Sequence, residues 1–162
     1  MTEISRNISV FFPPDLLNSV EIGGRKMHPG LLYWEDRYLL GVSSIDEQHQ
    51  RIFGLTHNLQ VALYQGSSDS TLSILLKSLI IYTANHFAHE EALLSFYKFE
   101  NSQEHLGDHL RFLQTAQQLL TQTGECKTSA VQMGEIIADW ASAHILEFDQ
   151  KIAAFLRGHG LR

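Results

Sequence analysis

The stretch HFAHEEALLSFYKFENSQEHLGDH, residues 86–109, decides how the whole chain reads. It holds two pairs of potential metal donors at one spacing, His86 with Glu90 and His105 with His109. In a helix, residues i and i+4 share a face, with Cβ atoms about 5–6 Å apart. Each pair can therefore reach one ion, or two ions that share a bridge. The spacing predicts two helices joined by a short connection. The first of these runs from about Ser70 to Phe99 and is apolar through Leu72, Leu75, Leu76, Leu79 and Ile80. The next opens with Asn101 and Glu104 and runs to about Gln122, before Gly124.

Outside this stretch the punctuation predicts two more helices. Upstream, Ser44 and Glu47 form a capping-box pair for a helix from about Ile45 to Gln65, with Gly66 just past its end. Ile45, Ile52, Leu55, Leu59 and Leu63 give it an apolar stripe near the 3.6-residue period. Downstream, Ser129 and Gln132 open a helix that runs to about Leu156 and stops at Gly158. Short connections make sequential helices antiparallel. The expected fold is all-α, an antiparallel up-down four-helix bundle over residues 34–162. Residues 1–33 hold all three prolines, Pro13, Pro14 and Pro29, with Gly23, Gly24 and Gly30. They read as an irregular N-terminal arm of loop or short extended structure, within which Ile8 to Phe12 is too short to assign.

Bulk properties narrow the function. A chain of 162 residues with 44% hydrophobic content can bury a substantial core. A formal net charge of −6, with no cluster of Lys and Arg, argues against nucleic acid. The single cysteine, Cys126, excludes an internal disulfide and reads as an incidental thiol beside Gly124. No apolar run approaches the roughly 18 residues of a membrane span. The first residues do not lead into a secretory signal, so a cytoplasmic location is expected by default.

Nine histidines stand out, where about four would be ordinary. Each predicted helix offers at least one donor: His49 on the first, His86 and Glu90 on the second, His105 and His109 on the third, His144 and Asp149 on the fourth. The last pair is five apart, which an ordinary helix does not place on one face. Either the two side chains splay around the site or the helix carries a local extra residue, and both remain open. A lone histidine on an apolar face is usually a core residue. Five imidazoles and two carboxylates converging without a metal would be costly, however, at several kcal/mol per unpaired group. The other histidines read as structural or solvated: His57 two turns beyond His49, His89 turned away beside Glu90, His28 in the arm and His159 at the end.

Seven donors are too many for one tetrahedral zinc. Imidazole and carboxylate without thiolate suit iron or manganese. A pair of ferrous ions can supply the two electrons that dioxygen accepts, which points to iron.

The strings Ile45-Asp46-Glu47-Gln48-His49, His86-Phe87-Ala88-His89-Glu90-Glu91, His105-Leu106-Gly107-Asp108-His109 and Trp140-Ala141-Ser142-Ala143-His144-Ile145-Leu146-Glu147-Phe148-Asp149 resemble the hemerythrin family in its bacterial form. Trp34 and Gly41 also match, and the resemblance covers about residues 34–156. It implies two non-haem iron ions with an oxo or hydroxo bridge. His105, His109 and His144 would hold one, His49 and His86 the other, and Glu90 and Asp149 would bridge both. The first ion is then fully coordinated and the second has one open position, where dioxygen binds reversibly. The implied role is an oxygen carrier or store and not an enzyme. An oxygen or redox sensor and a di-iron peroxidase or nitric oxide-handling protein are the alternatives. A ferritin-like oxidase is disfavoured, because its Glu-x-x-His motif is absent.

A dry pocket favours reversibility. Phe53, Phe87, Leu94, Trp140 and Ile145 are the expected wall. The chain departs from the family pattern at Ala141, where a larger aliphatic residue is usual and whose small side chain would widen the pocket. It departs also at Leu94, in place of methionine, and at Phe99-Glu100, in place of Tyr-Pro.

Overall fold

Buried side chains along the first long helix recur at Ile45, His49, Ile52, Thr56 and Leu59, alternating steps of four and three. That is the spacing of a single stripe on a helix facing a bundle core. The same alternation runs through His105, His109, Phe112, Ala116 and Leu119 on the third helix. The computed structural model describes residues 20–22, 25–27, 31–100, 102–121 and 126–162. The helices are α1 (Ser43–Tyr64), α2 (Asp69–Phe96), α3 (Ser102–Thr121) and α4 (Cys126–Trp140). A π-helical segment (Ala141–Asp149) continues α4 and leads into α5 (Gln150–Gly158), so the three together form the fourth rod of the bundle. α1 packs on α2 and α4, and α3 packs on the same two. With short connections between sequential helices, this is the expected all-α, up-down arrangement. No described helix is long and apolar enough to cross a membrane.

Backbone contacts divide the chain at residues 31 and 32. In the first unit the described residues form a small antiparallel hairpin, β1 (Val20–Ile22) with β2 (Arg25–Met27), in the register Val20 to Met27. Ile8 to Phe12, the three prolines and His28 lie outside the described residues.

Several boundaries differ from the sequence reading, each for a local reason. α1 starts at Ser43, with Val42 as its cap residue, and no Ser44–Glu47 box forms. Asp46 governs this end instead. Its carboxylate accepts from the backbone N–H groups of Leu40 (2.8 Å) and Gly41 (2.9 Å). The Arg157 guanidinium of α5 grips the Leu40 carbonyl, tying the entry of the bundle to its exit. Trp34 and Tyr38 pack on Phe53 at 5.2 and 4.9 Å, closing this end.

α2 stops at Phe96 rather than Phe99. Lys98 adopts a left-handed conformation (φ 58°), and the Phe99 N–H returns to the Leu94 carbonyl at 2.9 Å. This is a Schellman-type closure with lysine where glycine is usual. α4 starts at Cys126, three residues before Ser129. Ser129 does not cap it, and its hydroxyl donates to the Leu119 carbonyl of α3 at 3.0 Å. The caps expected at Asn101 and Gly124 lie outside the described residues.

In the fourth rod a buried stripe runs through Ala130, Met133, Ile137, Trp140 and His144 and continues at Asp149, Ile152 and Leu156, with Ile145 buried beside His144 and the two donors five residues apart. The π-helical segment absorbs that extra residue. At its end the Gln150 N–H reaches back five residues to the Ile145 carbonyl. Of the two possibilities left open by the sequence, the local extra residue is the one adopted.

Candidate metal centre

All seven predicted donors are buried at one level of the bundle: His49 from α1, His86 and Glu90 from α2, His105 and His109 from α3, and His144 and Asp149 from the π-helical segment. They form two overlapping groups. One is His105, His109 and His144 with Glu90, and the other is His49 and His86 with the same Glu90. Glu90 Oε2 lies 3.4 Å from His109 Nε2, 3.6 Å from His105 Nε2 and 3.8 Å from His86 Nε2. Asp149 also spans the groups. Its Oδ1 is 3.1 Å from His144 Nε2 and 3.2 Å from His105 Nε2, while its Oδ2 is 3.4 Å from His49 Nε2. The structure thus gathers three imidazoles on one side and two on the other, with Glu90 common to both groups and Asp149 within 3.4 Å of a histidine of each.

The outer nitrogens decide what the inner ones present. His144 Nδ1 lies 2.6 Å from Asp108 Oδ2, and His109 Nδ1 lies 3.1 Å from Glu91 Oε1. An ionised carboxylate only accepts, so each Nδ1 carries the proton and a neutral ring offers Nε2 as a bare lone pair. His86 Nδ1 likewise donates to the Gln48 amide oxygen at 3.0 Å. Inside, the Nε2 atoms of His49 and His86 are 3.0 Å apart, those of His105 and His144 3.0 Å, and those of His109 and His144 3.1 Å. Two lone pairs at that distance repel unless a cation or a proton lies between them. Donors bound to one ion at about 2.1 Å and at right angles stand about 3.0 Å apart.

The electrostatics agree. Burial holds His49 down at about 4, against the favourable charge of Asp149. Burial and the neighbouring His105 and His144 hold His109 at about 2, and burial also depresses His86 well below the imidazole range. Burial, with the charges of Asp149 and Glu91, pushes Glu90 well above the carboxylate range. His144 goes the other way. Burial opposes its proton, but hydrogen bonding and attraction to Asp149 and Asp108 outweigh that and raise it. Asp149 is depressed despite burial, by its hydrogen bonds from His105 and His144. Metal binding at these nitrogens therefore competes with protons.

Among the described residues, six of the seven buried side-chain polar atoms without a hydrogen-bond partner gather here, both oxygens of Glu90, Asp149 Oδ2, His49 Nδ1, His105 Nδ1 and Trp140 Nε1, and the seventh is His57 Nδ1. A fully buried carboxylate with neither oxygen satisfied costs several kcal/mol unless something positive sits beside it. The donor set therefore fits a metal centre, which His49, His86, Glu90, His105, His109, His144 and Asp149 would hold.

Carbon surrounds this polar centre. Phe87 stacks on His109 (3.8 Å, 8°) and Trp140 on His144 (5.5 Å, 22°), and Trp140 also meets His49 and His86 edge-on. Leu94 and Ile145 are buried in the core. Phe53, also buried, packs with Trp34 and Tyr38. The side chain of Ala141 lies outside the described residues.

A profile of the family described as "Hemerythrin HHE cation binding domain" matches residues 40–156. The chain belongs to the hemerythrin family. Relatives include the bacteriohemerythrin of Stenotrophomonas maltophilia, 28% identical over 80% of this chain and 84% of its own length. The bacteriohemerythrin of Pseudomonas aeruginosa is 26% identical over 73% of this chain and 76% of its own. The hemerythrin-like protein of Naegleria gruberi is 27% identical over 79% and 96%. Identities this low leave the side chains outside the donor set free to differ among hemerythrins.

The remaining histidines stand apart. His57 packs on Tyr33 at 5.2 Å, and burial lowers its pKa. His89 is half-buried and bonds the Ser44 hydroxyl at 3.2 Å. His159 bonds the Phe155 carbonyl at 3.0 Å. The sequence reading missed Gln48, Glu91 and Asp108. Each sits one residue from a donor on its own helix yet bonds an imidazole on the next helix along the chain. That adjacency was the available signal, since a step of about 100° turns a side chain from the core toward a neighbouring helix.

Proposed function

We propose that this chain is a dioxygen carrier or store whose site holds two non-haem iron ions with an oxo or hydroxo bridge. The observation that carries the reading is the Glu90 carboxylate, fully buried, unsatisfied at both oxygens and common to a three-imidazole and a two-imidazole group. His105, His109 and His144 would hold one ion and His49 and His86 the other, with Glu90 and Asp149 shared. A ferrous pair supplies the two electrons with which dioxygen is held. The unequal imidazole count leaves the His49–His86 side one donor short, and an exogenous ligand fits there. Trp140 and Phe87 press carbon against the imidazoles and exclude water, which favours release of the ligand intact. Each imidazole and carboxylate in the cluster would serve as a metal donor, which leaves none of these seven as an acid or base for turnover. This supports a carrier rather than an enzyme. The relatives named bacteriohemerythrin support the same reading.

The test is to reconstitute the protein anaerobically with ferrous iron, count iron, admit oxygen and follow the visible spectrum. Two irons per chain and an absorption band that disappears under vacuum are the expected result. Rapid, irreversible oxidation would make the chain a redox sensor, and sustained turnover with hydrogen peroxide would make it an enzyme. His49→Ala should abolish the reversible band while leaving the three-imidazole group able to bind iron. A variant that still gives the band would overturn the assignment of the two sides.

A further inference from the structure

The two halves of the centre differ in what stands behind their imidazoles. On the three-imidazole side two rings donate to carboxylates, His144 to Asp108 at 2.6 Å and His109 to Glu91 at 3.1 Å. Asp108 is itself held by Arg111 at 2.8 Å, and both carboxylates reach solvent, with side-chain exposures of 28% and 42%. On the two-imidazole side His86 donates to the neutral amide of Gln48, and His49 Nδ1 is buried without a partner. The count of carboxylates hydrogen-bonded to an imidazole is two against none, since Asp46, whose charge reaches His49, binds the Leu40 and Gly41 N–H groups instead. An imidazole that donates to a carboxylate is a more basic ligand than one that donates to an amide, and the gain appears as tighter binding and preference for the more highly charged ion.

We propose that Asp108 and Glu91 are positioning residues that polarise the metal pair, so that the ion on His105, His109 and His144 holds the higher charge and leaves slowly. Its neighbour on His49 and His86 is the more easily reduced and the more labile. The inference rests on the di-iron reading above and adds an order to it, since reduction and metal loss both begin on the side where an exogenous ligand fits. Asp108 and Glu91 act only through the imidazoles and touch no ligand or reacting atom.

The test uses the full-length, iron-loaded protein with two readouts, biphasic iron release to a chelator and the two one-electron potentials measured at a mediated electrode. Asp108→Asn and Glu91→Gln keep a hydrogen-bond acceptor and remove only charge. Each should speed the slow phase of release about tenfold, leave the fast phase alone, and raise the lower of the two potentials by about 59 mV, the one-electron equivalent of tenfold. Gln48→Glu puts an anion behind His86 and should slow the fast phase by a similar factor, which a purely structural role for these residues does not predict. If Asp108→Asn and Glu91→Gln change the fast phase, both phases equally, or neither, the proposal falls. Fewer than two irons in the unaltered protein would bring down the di-iron reading with it. Two irons released without these charge effects would sink this inference alone.

Discussion

α2 and the π-helical segment each contribute one histidine and one carboxylate, and their surroundings push the two pairs in opposite directions. On α2, His86 and Glu90 are four residues apart in a regular helix, and their nearest polar atoms are 3.8 Å apart. Burial drives the imidazole down and the carboxyl up, each toward its neutral form. On the π-helical segment, His144 and Asp149 are five apart and meet at 3.1 Å, with the imidazole raised and the carboxyl depressed. One helix offers a pair pushed toward its neutral forms, and the other a pair pushed toward its charged forms. The extra residue between His144 and Asp149 makes the difference, because it brings the carboxylate onto the imidazole's face. π-turns concentrate at functional sites for reasons of this kind.

The largest test of the contrast is to remove that residue. Deleting Glu147, an exposed position in the segment, lets the rod become an ordinary α-helix with a continuous apolar stripe. Far-UV circular dichroism should stay helical while metal affinity, measured by chelator competition, falls about 100-fold or more. Unchanged affinity would mean that the π geometry is incidental.

Next come the two carboxylates in metal-free protein. Asp149→Asn breaks a buried ion pair and should cost about 3 kcal/mol at neutral pH by urea denaturation. Its folded pKa is depressed, so the native contribution is present above the ordinary value of 3.8 and is lost as pH falls through the depressed one. Glu90→Gln should instead stabilise metal-free protein by about 1 kcal/mol. Because folding raises the Glu90 pKa, its penalty grows as pH rises above the ordinary value of 4.5, and the advantage of glutamine should shrink as pH is lowered toward that value. Equal effects of the two substitutions would erase the contrast. The smallest effect belongs to Asp108→Asn without metal. The carboxylate is partly exposed, so after solvent screening the loss should be about 0.5–1 kcal/mol, read from the same denaturation curves.

The helical stripes and the seven donors could be seen in the sequence because spacings of three and four map directly onto helix faces. What could not be read followed from groups acting outside those periods. Asp46 binds backwards to Leu40 and Gly41, so the first helix starts without its apparent cap. Lys98 takes a conformation that glycine would have announced. The five-residue step at His144 and Asp149 was visible, but only packed neighbours choose between splayed side chains and a wound-in residue. Gln48, Glu91 and Asp108 looked like ordinary polar positions, since their partners are on other helices.

Those three side chains have one more consequence. Gln48 precedes its helix's donor, Glu91 follows one, and Asp108 precedes one. On rods running up, down and up, offsets of −1, +1 and −1 rotate in the same sense when viewed from one end of the bundle. Each therefore leans toward the next helix in chain order, as Gln48 does to His86, Glu91 to His109 and Asp108 to His144. A bundle wound with the opposite handedness would keep all seven donors facing inward, yet it would aim these acceptors at the wrong flank. The chirality of the fold is thus written in three small polar residues, a choice that an apolar stripe cannot make because it looks the same from either side.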